Sequence, residues 1–578
     1  MKWAAAALLC FFMQGALGSG LHEEAVGGTQ AYSVELLAKA QPDECFHGVG
    51  EPYTSPPCAS GKPKTNQAYL WSMTASDQSL WFGTAANPLC GAGAKAETGV
   101  NALPIVGEPR AGPLWVCEKQ ASSFAPPNPL VSPDWRSPRI FRFSRRDGHL
   151  EEHTPADPRI SEVSGIRAAA SQNHLVLLGG PGLPGNEPGV RFFLFGDSGE
   201  FLGSHTDPSI NNIRQWVRAG KYLYLGAQSA DGGDGVILRW DADPRHPFAF
   251  TVVGKLPAEA ANITLHEGRL FATTWPDIPA YEEVQHFSGG ALYMSPPLQE
   301  GGLLAEDVQN QWQKVWQAED YEPDPVVGYT YGGGALASFD GWLYWGTMHI
   351  FGTGLEAFEL TYGKRGGLEK PLAASLTRRP ASLFRGRGFG DKLEIEVLYG
   401  FSHAPTFKPI KRDRRGIVRG VWTIAPNGMG KPLWGRAGFG NPWNGYVWSM
   451  AVWNNTLFWG TMDASYHVRA TLQVAALEIP RLLGMPTFMF PPPATLKKDY
   501  GADLFALKGS DGPAVAITTD GLGDPGNFGF RSMEATPEGL YLGTANPYNL
   551  LYDPQDPLKS GGWELWRLGM QAAEESGM

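Results

Sequence analysis

Cysteine is scarce in this chain, charge is thin, and no long apolar run follows the first eighteen residues. Five cysteines occur in 578 residues, and charged side chains make up 18%. The signatures of several enzyme classes are missing as well. There is no Gly-x-Ser-x-Gly elbow, His-Glu-x-x-His helix, Cys-x-x-Cys-His haem site, phosphate loop or dinucleotide fingerprint. A Ser-x-Asp-x-Gly-x-Thr-Trp box of the sialidase type is absent too. Hydrolysis through these devices is therefore disfavoured, and nothing in the sequence calls for a metal or redox cofactor. The formal charge of −11 argues against a nucleic-acid surface. No segment after residue 18 is apolar enough to span a bilayer.

What is present begins with residues 1–18, which read as a secretory signal: Lys2, an apolar run, then small residues before Ser19. The run is too short for a membrane span, so a soluble chain in the secretory pathway or outside the cell is expected. Removing the signal takes Cys10 with it and leaves Cys45, Cys58, Cys90 and Cys117. An even count behind a signal implies two disulfides, with three possible pairings. Neighbour pairing, Cys45 with Cys58 and Cys90 with Cys117, is the expected one. The sequons at Asn262 and Asn454 are compatible with glycosylation.

One stretch recurs. Trp71-Ser72-Met73 is followed by a variable turn and by Leu80-Trp81-Phe82-Gly83-Thr84. The same pattern returns at Trp448–Thr461 and, more weakly, at Arg531–Thr544. Further second halves occur at Leu175–Gly180, Tyr222–Ala227, Leu270–Thr274 and Leu343–Thr347. A hairpin repeated at constant internal spacing predicts radial repetition of one unit. Anchored on Gly83, Gly179, Gly226, Thr273, Gly346, Gly460 and Gly543, the repeat predicts an all-β propeller of seven blades, with six or eight as alternatives. The expected organisation is a signal over 1–18, an N-terminal segment over 19–60, the propeller over 61–568 and a polar tail over 569–578. Ser33–Ala40 reads as a short helix or as the strand that closes the ring against Gly562–Leu568. Gly363–Arg419 reads as a basic, Gly-rich surface insertion, and Phe488–Pro493 as part of another long loop.

Register then proposes a site. Twelve residues before the anchors stand Trp71, Arg167, Arg214, Ala261, Gly334, Trp448 and Arg531. In a propeller these positions surround the channel mouth, so three arginines and two tryptophans would form a cationic, aromatic rim. Just after the anchors come Asn87, Trp275, His349, Asp463 and Asn546. Arg167, Arg214, Arg531 and His349 are the candidate catalytic groups. Trp71, Trp275, Trp448, Asn87, Asp463 and Asn546 are the candidate substrate contacts. The competing reading is structural: Trp71 and Trp448 can pack between blades, and arginines can bond neighbouring carbonyls.

The strings Lys64–Thr74 and Leu80–Cys90, the Leu-Tyr-Trp-Gly-Thr and Leu-Phe-Trp-Gly-Thr repeats, and the closing Gly539–Pro547 and Gly561–Leu568 carry a resemblance. From about Cys45 to Leu568 the chain resembles a group of secreted fungal propeller proteins that includes the hetero-Diels-Alderases of tropolone-sesquiterpenoid pathways. The resemblance implies a cofactor-free cycloaddition. A tropolone quinone methide would add across an alkene of a humulene-type terpene, aligned by a shaped cavity and polarised by donors on the tropolone oxygens. It assigns no catalytic residue. The alternative is a non-catalytic secreted propeller that binds carbohydrate or another small ligand.

Overall fold

The computed structural model describes residues 32–47, 58–88, 135–231, 233–276, 289–307, 311–350, 352–469, 499–556 and 560–571. The signal, Cys90, Cys117, Phe488–Pro493 and the tail from Ala572 lie outside the described residues.

Short strands rich in aromatic and apolar residues pair with their sequence neighbours across tight turns. The result is a propeller-like succession of four-stranded antiparallel sheets. Among the described residues seven can be traced: sheet 1 (67–152), sheet 2 (168–207), sheet 3 (210–256), sheet 4 (259–317), sheet 5 (331–400), sheet 6 (444–518) and sheet 7 (529–570). Sheet 7 takes its fourth strand from the other end of the chain. Tyr32–Lys39 lies antiparallel on Glu564–Met570, with Val34 opposite Leu568, so Ser33–Ala40 is strand rather than helix. The first strand of each sheet touches the first strand of the next, and sheet 7 touches sheet 1, closing a circle.

The anchor residues explain how the sheets nest. A Cβ on Gly83 would strike Ile166 of sheet 2's leading edge, and one on Gly346 would strike Val447. Gly460 faces Phe530, and Gly543 faces Leu70 at 2.6 Å. Each glycine therefore removes the side chain where the next sheet's inner strand crosses, which lets large apolar residues fill the seam. Between sheets 4 and 5 the roles are exchanged. The anchor is Thr273, and Gly333 stands where the other sheets carry the bulky residue.

The serine of the Trp-Ser-Met motif is a second latch. Ser72, Ser449 and Ser532 donate through Oγ to the carbonyls of Ile166, Phe530 and Leu70, at 2.9, 2.7 and 2.9 Å.

The Gly363–Arg419 stretch is more ordered than a surface loop. It supplies the outer strands of sheet 5, Leu383–Arg387 and Glu394–Gly400, and part of a two-stranded ribbon, His403–Arg412 with Val418–Pro426. The basic run from Lys408 forms the exposed end of that ribbon. Cys45 and Cys58 form a disulfide with Cα atoms 5.8 Å apart. Among the described residues, no helix is long and apolar enough to cross a membrane.

Candidate functional site

The register residues reach the axis because the inner strands are bulged. Pairing slips between Leu70 and Ser72, Ile213 and Trp216, Val447 and Ser449, and Phe530 and Ser532. A bulge leaves one strand with extra residues and re-aims their side chains. Trp71, Arg214, Trp448 and Arg531 occupy these bulges. Arg167 precedes its strand, its backbone N–H donating to Gly179 O at 2.8 Å. The residue before each bulge packs on the preceding sheet's anchor, and the bulged residue turns inward. All five line one cavity of about 350 Å³, together with Met73, Asn262, Met450 and Glu534.

Each arginine is matched to a tryptophan. The guanidinium carbon of Arg214 lies 3.8 Å from the Trp275 ring centre, that of Arg167 5.2 Å from Trp71, and that of Arg531 5.8 Å from Trp448. These are cation–π distances. Arg214 Nε also donates to Glu259 Oε1 at 2.6 Å, and Arg167 Nη1 donates to Asn212 Oδ1 at 2.6 Å. Asn212 in turn donates to Glu259 Oε1 at 3.0 Å. Burial works to raise the Glu259 carboxyl, but Arg214 and Arg167 outweigh it and hold it below the usual range. Burial lowers the Arg531 guanidinium to about 9, helped by the Arg214 charge, and Arg167 is lowered well below its ordinary value for the same two reasons.

Above the arginines an aromatic layer crosses the axis. Trp275 meets Tyr446 edge-on at 6.4 Å, Tyr446 meets Trp448 at 5.6 Å, and Tyr69 meets both Trp448 and Trp71. Trp448 also lies over Gly529 and Trp71 over Gly165, so both rings pack between sheets while they wall the cavity.

The cavity continues toward the hairpin turns. Ala75, Ser171 and Arg218 line both the axial cavity and a second of about 570 Å³ at the hairpin turns. Toward that end stands Glu534, which accepts from the Ala75 N–H at 3.1 Å. Burial pushes its carboxyl up to about 7. Sequence reasoning missed Glu534, although the position after Ser-Met reads Thr74, Ala451 and Glu534 in the three copies. A carboxylate in a register otherwise filled by small residues was the available signal.

Five candidates do not line the cavity. Trp275 covers Arg214 from the aromatic layer instead. His349 is fully buried; its Nε2 lies 2.8 Å from Thr330 Oγ1, and its ring meets Tyr331. Burial, then the nearby Arg379 and Arg378, lowers it to about 3, so it stays neutral and cannot serve as a general acid near pH 7. Asp463 accepts from Ser465 N and Asn441 Nδ2, and Asn546 bonds Asp524 and Tyr548. Asn87 is buried at the end of its strand. These side chains tie down the connections that follow the second strands. Asn262 is buried in the cavity wall with its amide donated to Gly333 O, which leaves no room for a glycan, whereas Asn454 sits exposed in a hairpin turn. For a cation, Asp77, His174 and Asp197 bring ligand atoms within 4.8 Å of one another at the turn face, but His174 and Asp77 are exposed.

No family model matches this chain, and no curated protein matches it. Solved structures do. A nidogen–laminin complex shares 10% identity over 50% of this chain and 76% of its own, with a TM-score of 0.26. A sialidase of Trypanosoma rangeli in complex with sialic acid shares 8% over 75% and 56%, with a TM-score of 0.32. Superpositions this loose and identities this low carry no argument about chemistry.

Proposed function

We propose that the seven sheets are the blades of one seven-bladed propeller and that its axial cavity is a small-molecule site for a hetero-Diels-Alder reaction. The observation that carries this reading is the convergence of three arginines on one axial cavity, each lying over a tryptophan ring, with Trp71 and Trp448 in the cavity wall. Planar guanidinium forks suit the two adjacent oxygens of a tropolone. Trp71, Met73, Trp448 and Met450 supply apolar wall for a humulene-type partner. The C–O bond to a hydroxyl on the tropolone's alkyl arm breaks, and Glu534, half protonated near pH 7, gives that hydroxyl the proton with which it leaves as water. The tropolone's own O–H proton has gone to solvent, so loss of that water from the oxyanion gives the neutral quinone methide. Its heterodiene then adds across the terpene alkene, making one C–C and one C–O bond. The protein's contribution is alignment and stabilisation of charge on oxygen. The Cys45–Cys58 disulfide fits the secretory route expected from residues 1–18.

Incubating purified protein with a quinone-methide precursor and humulene tests the reading. Product above the protein-free rate is expected, falling about a hundredfold in Arg531→Ala. No acceleration overturns it. The second reading is a non-catalytic binding propeller, favoured by the half-buried Trp71 ring, a surface on which sugars and other flat ligands stack. A ligand retained without turnover would select it.

A further inference from the structure

The proposed cavity is not electrically balanced. Arg167, Arg214, Arg218 and Arg531 line it, and the carboxylates near them are Glu534 and the Glu259 bound to Arg214. With both carboxylates ionised, two positive charges are left over. Partial protonation of Glu534 raises that excess.

The hydrogen bonds agree. Of the four, Arg214 is the one bonded to a carboxylate. Arg167 bonds the neutral Asn212, and Arg218 bonds Gln172 Oε1 at 2.9 Å and Ser171 O at 2.5 Å. Arg531 has the Trp448 ring and, among the described residues, no hydrogen-bond acceptor. Buried guanidinium groups are normally paired, because removing an ion from water without a counter-charge is expensive. Here Arg167 and Arg531, both half-buried, have no ion-pair partner among the described residues, inside a protein whose formal charge is −11.

We infer that the ligand occupies this cavity as an anion, a small flat conjugated acid whose delocalised oxyanion lies among Arg167, Arg214 and Arg531. The inference rests on the site proposed above and names the ionisation state it selects. An oxyanion spread over two oxygens matches the guanidinium forks, and its ring has Trp71 and Trp448 to lie against. Arg531, at about 9, is still cationic at neutral pH and keeps the attraction in force. Entry is from the turn face, past Arg218.

The test uses benzoate and its neutral counterpart benzamide, neither of which can undergo the cycloaddition. Tryptophan fluorescence and calorimetry follow their binding to the full protein. Benzoate is expected to bind at least about tenfold tighter than benzamide and to weaken as salt rises. Arg531→Gln and Arg167→Gln should each lose about tenfold or more in benzoate affinity, while the exposed control Arg245→Gln should not. Thermal unfolding without ligand separates binding from folding. Arg531→Gln, relieved of an unpaired half-buried charge, should unfold no lower than the parent. Equal affinity for the two probes overturns the inference. So does absence of benzoate binding at about 10 mM, or full affinity in both folded glutamine variants. Product formation is scored separately: turnover without anion preference overturns the charge assignment alone, and anion preference without turnover overturns the reaction alone.

Discussion

The exchanged pair between sheets 4 and 5 allows a sharp test of how the ring is held. At the Gly226 seam the small partner is the anchor, and Ala260 brings the Cβ from the next sheet, 3.2 Å from where a Gly226 Cβ would stand. At the exchanged seam, a Cβ on Gly333 would overlap the Thr273 Cβ and lie 2.7 Å from its Oγ1. Both contacts fall inside van der Waals distance, and the Thr274 carbonyl at 3.0 Å blocks retreat. Overpacking of this kind costs about 1–3 kcal/mol, so Gly333→Ala is expected to lower stability by about 1–2 kcal/mol after the gain from a stiffer unfolded chain.

Thr273→Gly removes a hydroxyl that donates to Gly334 O and accepts from Asn262 N, each at 3.2 Å. That loss is about 1 kcal/mol, with a further 0.5–1 kcal/mol or so for a glycine in a strand. The double variant rebuilds the Gly226–Ala260 arrangement. It should be less unstable than the sum of the singles by about 1 kcal/mol or more. Urea midpoints at constant slope measure all four proteins. Strict additivity would refute the account of the anchors as steric seats for the next sheet.

Two further outcomes follow from buried charge. The Glu534 carboxyl is raised from 4.5 to about 7 by burial, so the folded state favours its protonated form. Its stabilising protonation is complete below the unfolded value and is lost as pH rises through about 7. Glu534→Gln should therefore gain on the parent protein between about pH 4.5 and 7.5, by about 1–3 kcal/mol. Parallel stability profiles would contradict this. At the ring closure, Lys39 Nζ lies 3.4 Å from Asp524 Oδ2 and bonds Glu564 Oε1. Burial, then the neighbouring Glu564, already raises the Asp524 carboxyl well above its usual range. Lys39→Met leaves two buried carboxylates together and should lower stability by about 3–5 kcal/mol at pH 7, read from urea midpoints. A loss below about 1 kcal/mol would show that closure does not depend on this lysine.

Much of the scaffold was legible because nesting is a local demand. Each of these seams sets a glycine opposite a residue that carries a side chain at a set place in a hairpin, and that demand writes Gly-Thr and Trp-Ser-Met into the chain at constant spacing. The same spacing located Trp71, Arg167, Arg214, Trp448 and Arg531, since one step of the strand separates the residue in the seam from the residue on the axis.

Other features depend on what packs against what. That Trp71 and Arg214 face inward rests on bulges, which form only when an inner strand bends to follow the ring. His349 shares its end of the hairpin with Trp275, yet it is buried with Thr330 and Tyr331 while Trp275 covers Arg214. Glu259 and Asn212 meet the arginines across seams, through side chains 45 residues apart in the chain. Periodicity along one strand determines the direction of a side chain. Its partner, its access to water and the end at which the cavity opens are decided by neighbouring sheets and the insertions over them.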